Sequence, residues 1–114
     1  MKNKKKVLNT ESKILNVAKK SLSDDKGLDL KVINIKKKTS IADYMIITSG
    51  TSKRHVTTMA KNLQEKIKKK LKFTPKLEGV EKGEWVLIDA NSTIINIFKP
   101  EIRNFYKLEK IWQD

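Results

Sequence analysis

One imidazole, no thiol and a scatter of carboxylates make up the reactive inventory of this 114-residue chain. His55 is the sole histidine and hence the only candidate general base. It stands in SGTSKRHV, residues 49–56, with no cysteine in the chain to act as nucleophile. No serine–acid arrangement of the triad kind is evident beside it, so a capping or packing role is the plainer reading. Magnesium chemistry needs carboxylates held close together on rigid elements. Here Asp24 and Asp25 fall where a helix is expected to end, and Asp29, Asp43 and Asp89 are dispersed. Without cysteine there is neither a disulfide nor a Cys/His zinc site. The run Ser49-Gly50-Thr51-Ser52 lacks the spacing and the lysine of a phosphate-binding loop. These residues predict no enzyme, no metal and no cofactor, which directs the search for function to surfaces.

Hydrophobic spacing predicts the elements that carry those residues. Residues 1–9 are basic and aperiodic and read as an N-terminal arm, leaving residues 10–114 as one domain. From Thr10 or Ser12 as a cap, Ile14, Leu15, Ala18 and Leu22 recur at helical steps, and Gly27 offers a stop. Leu28, Leu30 and Val32 then alternate with polar residues before Ile33 and Ile35 shift the phase, as in a half-buried strand with an irregularity. YMIIT, residues 44–48, has the near-continuous apolar character of an internal strand. Gly50 is free to take a positive φ, and Ser52 or Thr51 to cap a helix whose apolar side is Val56, Met59, Ala60, Leu63, Ile67 and Leu71. Two strands around the polar turn EKGE, a third from residue 93 to 98, and a final helix opened by Pro100 complete the pattern. Ile102, Phe105 and Leu108 mark one face of that helix, with Ile111 and Trp112 docking after it. The fold class is α/β, a single domain with a mixed β-sheet and packed helices. No apolar stretch is long enough to span a bilayer, and the start lacks the apolar block of a secretory signal, so the cytoplasm is the expected location and no membrane is expected as partner.

Two surfaces stand out. In WVLID, Val86 and Ile88 share the parity that should face the helices, which leaves Trp85, Leu87 and Asp89 together on the other side. An indole beside a carboxylate suits the centre of a protein contact, and it equally suits a cap over the core or a homodimer. The second surface is electrostatic. The formal charge is +13, with 12 lysines and four acids in residues 1–39 but four bases and five acids in residues 84–114. Such a balance favours polyanionic surroundings, RNA above all, and is also what a lysine-rich composition gives without any partner. Arg54, Lys61, Lys68 and Lys72 lie opposite the apolar side of the long helix, as a basic ridge that either contacts or steers toward RNA, or is only a solvated face.

ADYMIITSGTSKRHV, LEGVEKGEWVLIDA and NIFKPEIRNFYKLEKIW occur in an order and spacing that resemble the ribosomal silencing factor family, also called Iojap-related. The likeness covers residues 10–113 and rests on Asp43, Tyr44, the stretch Gly50 to His55, Glu78, Gly79, Trp85, Asp89 and the closing run of Arg103, Tyr106, Leu108, Glu109 and Trp112. What it implies is a repressor of translation. Such proteins bind the large ribosomal subunit at its protein fourteen and hinder joining with the small subunit when nutrients are short. It also implies an outline similar to nucleotidyltransferases without their catalytic acids, and homodimers in some members when free. Trp85, Leu87, Asp89, Arg103 and Glu109 become the candidate partner-binding residues. An RNA-binding or assembly factor for the large subunit is the alternative. The chain departs from the family where members often carry a histidine inside the last strand, since Asn96 stands there. Asn91 and Ser92 likewise replace the usual glycine and aspartate of the preceding turn, and Asn91 can still adopt the positive φ.

With neither thiol nor clustered acids to hold a cofactor, inhibition of subunit joining should need neither ATP nor GTP. Joining assays at fixed free magnesium, with and without each nucleotide, check this, and inhibition that appears only with nucleotide would refute it.

Overall fold

The computed structural model describes the backbone of residues 2–108 and Lys110, with side chains from Lys13 onward except those of Phe105 and Tyr106. No proline or glycine interrupts the chain before Gly27, and helix α1 runs without a break over Lys2–Asp24. It thus begins well before the caps expected at Thr10 or Ser12, and residues 2–9, read above as an arm, are helical in backbone. Ile14, Ala18 and Leu22, four residues apart, are buried together on one side. After α1 the left-handed conformation is taken by Lys26 (φ 62°), not by Gly27. Gly27 is needed for space, because a Cβ there would come within 2.8 Å of Met59 Cε and Thr48 Oγ1.

Strand β1, Leu28–Asn34, pairs antiparallel with β2, Tyr44–Ser49. The expected irregularity exists but sits earlier than the phase shift at Ile33, between Leu28 and Lys31, where Asp29 has φ 50°. From β2 the chain turns into α2, Lys53–Leu71. Ser52 caps it, its Oγ accepting from the N–H of His55 at 3.1 Å. Gly50 keeps a negative φ, contrary to the expectation above. Its lack of a side chain admits Val56, whose Cγ2 would lie 2.9 Å from a Cβ. His55 joins this turn to the end of α1: Nδ1 accepts from the Thr51 N–H at 2.8 Å, and Nε2 lies 2.6 Å from the Asp25 carbonyl oxygen. The neutral ring with hydrogen on Nε2 satisfies both contacts, which is a packing and capping role.

Strands β3, Lys76–Glu78, β4, Trp85–Ala90, and β5, Thr93–Phe98, form an antiparallel meander, followed by α3, Pro100–Tyr106. Asn91 supplies the positive φ (59°) of the two-residue turn between β4 and β5. β5 inserts beside β2 in parallel, giving the order β1-β2-β5-β4-β3 among the described residues. Helices α1 and α2 pack on one face of this mixed sheet, over Ile46, Val86, Ile88, Ala90, Ile95 and Ile97. The other face holds a smaller cluster of Ile33, Ile35, Ala42, Met45, Ile47 and Phe98, against which Ile102 and Leu108 pack.

Gly79 is the most constrained point of the connection into β4. Its φ is +86°, and a Cβ would run into the carbonyl oxygen of Trp85. Gly79→Ala should cost about 1–3 kcal/mol from the backbone conformation alone, before the steric clash is counted. Urea unfolding measures it, and an unchanged midpoint would show that the turn has another conformation.

Candidate functional site

The register builds one surface from three strands. On the side of β4 away from α1 and α2, Trp85 and Leu87 are half-buried and Asp89 is exposed, while Val86 and Ile88 are fully buried beneath the helices. Lys76 of β3 lies directly across from Asp89 and Glu78 across from Leu87. On the other flank β5 places Phe98 opposite Trp85, Asn96 opposite Leu87 and Ile94 opposite Asp89. The result is an open strip in which a half-buried apolar row, Trp85, Leu87 and Ile94, is edged by Lys76, Glu78 and Asp89. Alternation in the sequence placed Trp85, Leu87 and Asp89 on one side. It could not name Lys76, Glu78 or Ile94, because their nearness depends on strand pairing.

Trp85 is held in two ways. Its ring lies 4.8 Å from that of Phe98 at a tilt of 57°, a geometry that aromatic pairs favour. Its Nε1–H donates to Asn96 Oδ1 at 2.9 Å. An indole N–H can only donate, so the acceptor must be the amide oxygen, and the orientation of Asn96 is fixed by chemistry. Asn96 is buried, and its Nδ2 has no hydrogen-bond partner among the described residues. Asn96 therefore orients the tryptophan. With its polar atom engaged internally, Trp85 presents ring surface outward.

The remaining candidates fall elsewhere. Arg103 is only 8% exposed and lies at the same end of the sheet as Trp85 but across β5, where its Nη1 donates to the Leu28 carbonyl at 3.3 Å and to Ser49 Oγ at 3.2 Å. It ties α3 to the ends of β1 and β2 and is not part of the Trp85 strip. Glu109 lies outside the described residues, as do Ile111 and Trp112. At the start of α3 the Lys99 ammonium donates to Glu101 at 2.9 Å; this bond holds the Glu101 carboxyl below its usual range and raises Lys99. Arg54, Lys61, Lys68 and Lys72 are all exposed. Arg54 and Lys61 line a groove together with Lys53 and Lys82, whereas Lys68 and Lys72 lie farther along the helix axis and outside it. Among the described residues no group of three or more His, Cys, Asp or Glu could hold a metal ion, and no helix is long and apolar enough to cross a membrane.

Comparison with known proteins places the whole chain in a family. The profile of the family described as "Ribosomal silencing factor during starvation" matches residues 8–114. The chain belongs to the ribosomal silencing factor family. The chain is 46% identical over 99 residues to the ribosomal silencing factor of Zymomonas mobilis, an alignment covering 87% of this chain and 74% of that protein. The mouse protein named mitochondrial assembly of ribosomal large subunit protein 1 is 35% identical over 94 residues, covering 80% of this chain and 41% of its own length. A crystal structure of a Chromobacterium violaceum protein superposes with a TM-score of 0.85 at 34% identity, covering 90% of this chain and 88% of that one. Ribosomal silencing factors are ribosome-binding repressors of translation and not enzymes, and this chain shares that role.

The Trp85–Asn96 bond makes a checkable demand. Trp85→Phe keeps a ring against Phe98 but strands the buried Asn96 oxygen, and should destabilise by about 1–3 kcal/mol. Adding Asn96→Leu removes the stranded acceptor and should recover part of that loss. Urea unfolding of the single and double variants tests it, and a double variant no more stable than the single one would contradict the bond.

Proposed function

We propose that the strip of Trp85, Leu87 and Asp89 is the surface that docks on protein fourteen of the large ribosomal subunit, and that the bound chain keeps the small subunit from joining. The observation that carries this reading is the uneven cover of the sheet. The face toward α1 and α2 is sealed, while β4 leaves an indole, a leucine and a carboxylate together on the opposite side. A carboxylate accepts charge-assisted hydrogen bonds from a basic ribosomal protein, and the neighbouring indole excludes water from them. Obstruction then follows from size: the narrowest dimension of the molecule is 21 Å, far more than the gap between two surfaces in contact. No chemical step is required.

The wider reading keeps an outline similar to nucleotidyltransferases as a proposal that rests on the resemblance alone, and a site of action in the cytoplasm. The same apolar row could receive a second copy of the chain when no subunit is bound. A role in large-subunit assembly is the second reading, favoured by the name of the mouse relative and by the basic groove beside α2.

Trp85→Ala should weaken binding to large subunits by at least ~2 kcal/mol, about 30-fold, and Asp89→Asn by a comparable amount if its basic partner is left buried and unpaired. The check is a large-subunit binding isotherm for each variant, accepted only where its unfolding midpoint is near that of the parent, because a truncated core aromatic costs about 3–5 kcal/mol in folding. Two folded variants with parental affinity would move the contact off this strip.

A further inference from the structure

We infer that the groove between the first three turns of α2 and the β3–β4 turn is a binding site for the phosphate backbone of double-helical RNA. The groove has a volume of about 480 Å³ and is lined by Lys53, Arg54, Thr57 and Lys61 on the helix wall and by residues 80–83 on the turn wall. This inference rests on the ribosome-binding reading, since the ribosome supplies the RNA, but it concerns a surface distinct from the Trp85 strip.

Three observations converge on it. Lys53, Arg54, Lys61 and Lys82 converge on the groove, and none of the four is paired with an acid among the described residues. Glu81 is the single carboxylate in the lining. The cations are also placed against local stability. The first turn of α2 contains Lys53 and Arg54 and no acid, although the positive end of the helix dipole disfavours cations there. Finally, the two walls are fixed to each other. Gly83 has φ +64°, and a Cβ on it would lie 3.2 Å from both Lys53 Cβ and Thr57 Cγ2, so the turn rests directly on the helix and brings Lys82 into the groove that Lys61 also lines.

The lining also selects the ligand. Lys53 and Lys61 are eight residues apart, about 12 Å along the helix axis, so the groove meets a linear array of charges better than a single ion. It contains no aromatic side chain on which a base could stack, and Val80 is its one apolar residue. A protein partner would have no anchor there, whereas closely spaced phosphates need only cations. A nucleic acid duplex presents a charge about every 1.7 Å along its axis, roughly twice the density of an extended acidic peptide.

The test measures binding of the full chain to a generic RNA duplex over a range of salt, with polyglutamate as competitor. Lys61→Gln with Lys82→Gln removes one cation from each wall. Lys68→Gln with Lys72→Gln makes the same change in net charge outside the groove. The groove pair should lower the slope of log affinity against log salt by roughly two, and the outer pair by less than one. Polyglutamate at equal charge should compete weakly. Equal slopes for the two pairs would overturn the groove as a site, and competition by polyglutamate as strong as by RNA would assign it to an acidic protein. The same chains are sedimented with large subunits. Failure of the parent to co-sediment would count against the proposed function while the duplex result stood on its own.

Discussion

Six register pairs, from Tyr44 with Thr93 to Ser49 with Phe98, join β2 to β5 in parallel. Parallel neighbours cannot be linked by a tight turn, so after Ser49 the chain must leave the sheet, cross one of its faces as α2 and re-enter at the far edge through β3 before β5. That excursion supplies α2, which with α1 seals one face, and it delivers β4 to the far flank of β5. Among the described residues the other face receives the short α3 and the smaller apolar cluster. The open strip at Trp85 and the groove beside α2 are both products of this crossover: one is the face it leaves uncovered, the other the seam where it turns back. Loss of the β2–β5 pairing would remove both surfaces together.

Patterns confined to one element were legible in the sequence. Alternation assigned Val86 and Ile88 to the core, because the side-chain period of a strand does not depend on what it pairs with. Ser52 as a cap and Asn91 as the positive-φ residue were readable for the same reason, each being set by local backbone chemistry. Features that depend on distant contacts were not. Gly50 and Gly27 are required for close approach to Val56, Met59 and Thr48, and no local rule foretells such neighbours. The position of the β1 irregularity is set by pairing with β2, and the burial of Arg103 by the meeting of α3 with the ends of β1 and β2. Lys82 and Lys61 line one groove because the turn packs on α2 at Gly83, against Lys53 and Thr57.

In the proposed account the two surfaces divide the work of recognition according to their chemistry. Exposed cations lining a groove act over a distance of about one Debye length and are weakened by salt, which suits capture of an RNA-rich particle. A fixed indole with its N–H engaged by Asn96 loses little freedom on contact and suits the stereospecific part of docking. Neither surface calls for a reaction, which accords with a family of non-catalytic translational repressors.

The central claim is that the Trp85 strip faces protein fourteen in the bound state. Photo-crosslinking tests it most directly, with a benzophenone-bearing residue in place of Leu87, at the middle of the strip, and a second chain carrying the same group at the exposed Glu65. Irradiation of each chain bound to purified large subunits should give an adduct with protein fourteen from position 87 and none with it from position 65. Cross-linking of position 87 to a different ribosomal protein, or of protein fourteen to position 65 alone, would contradict the account.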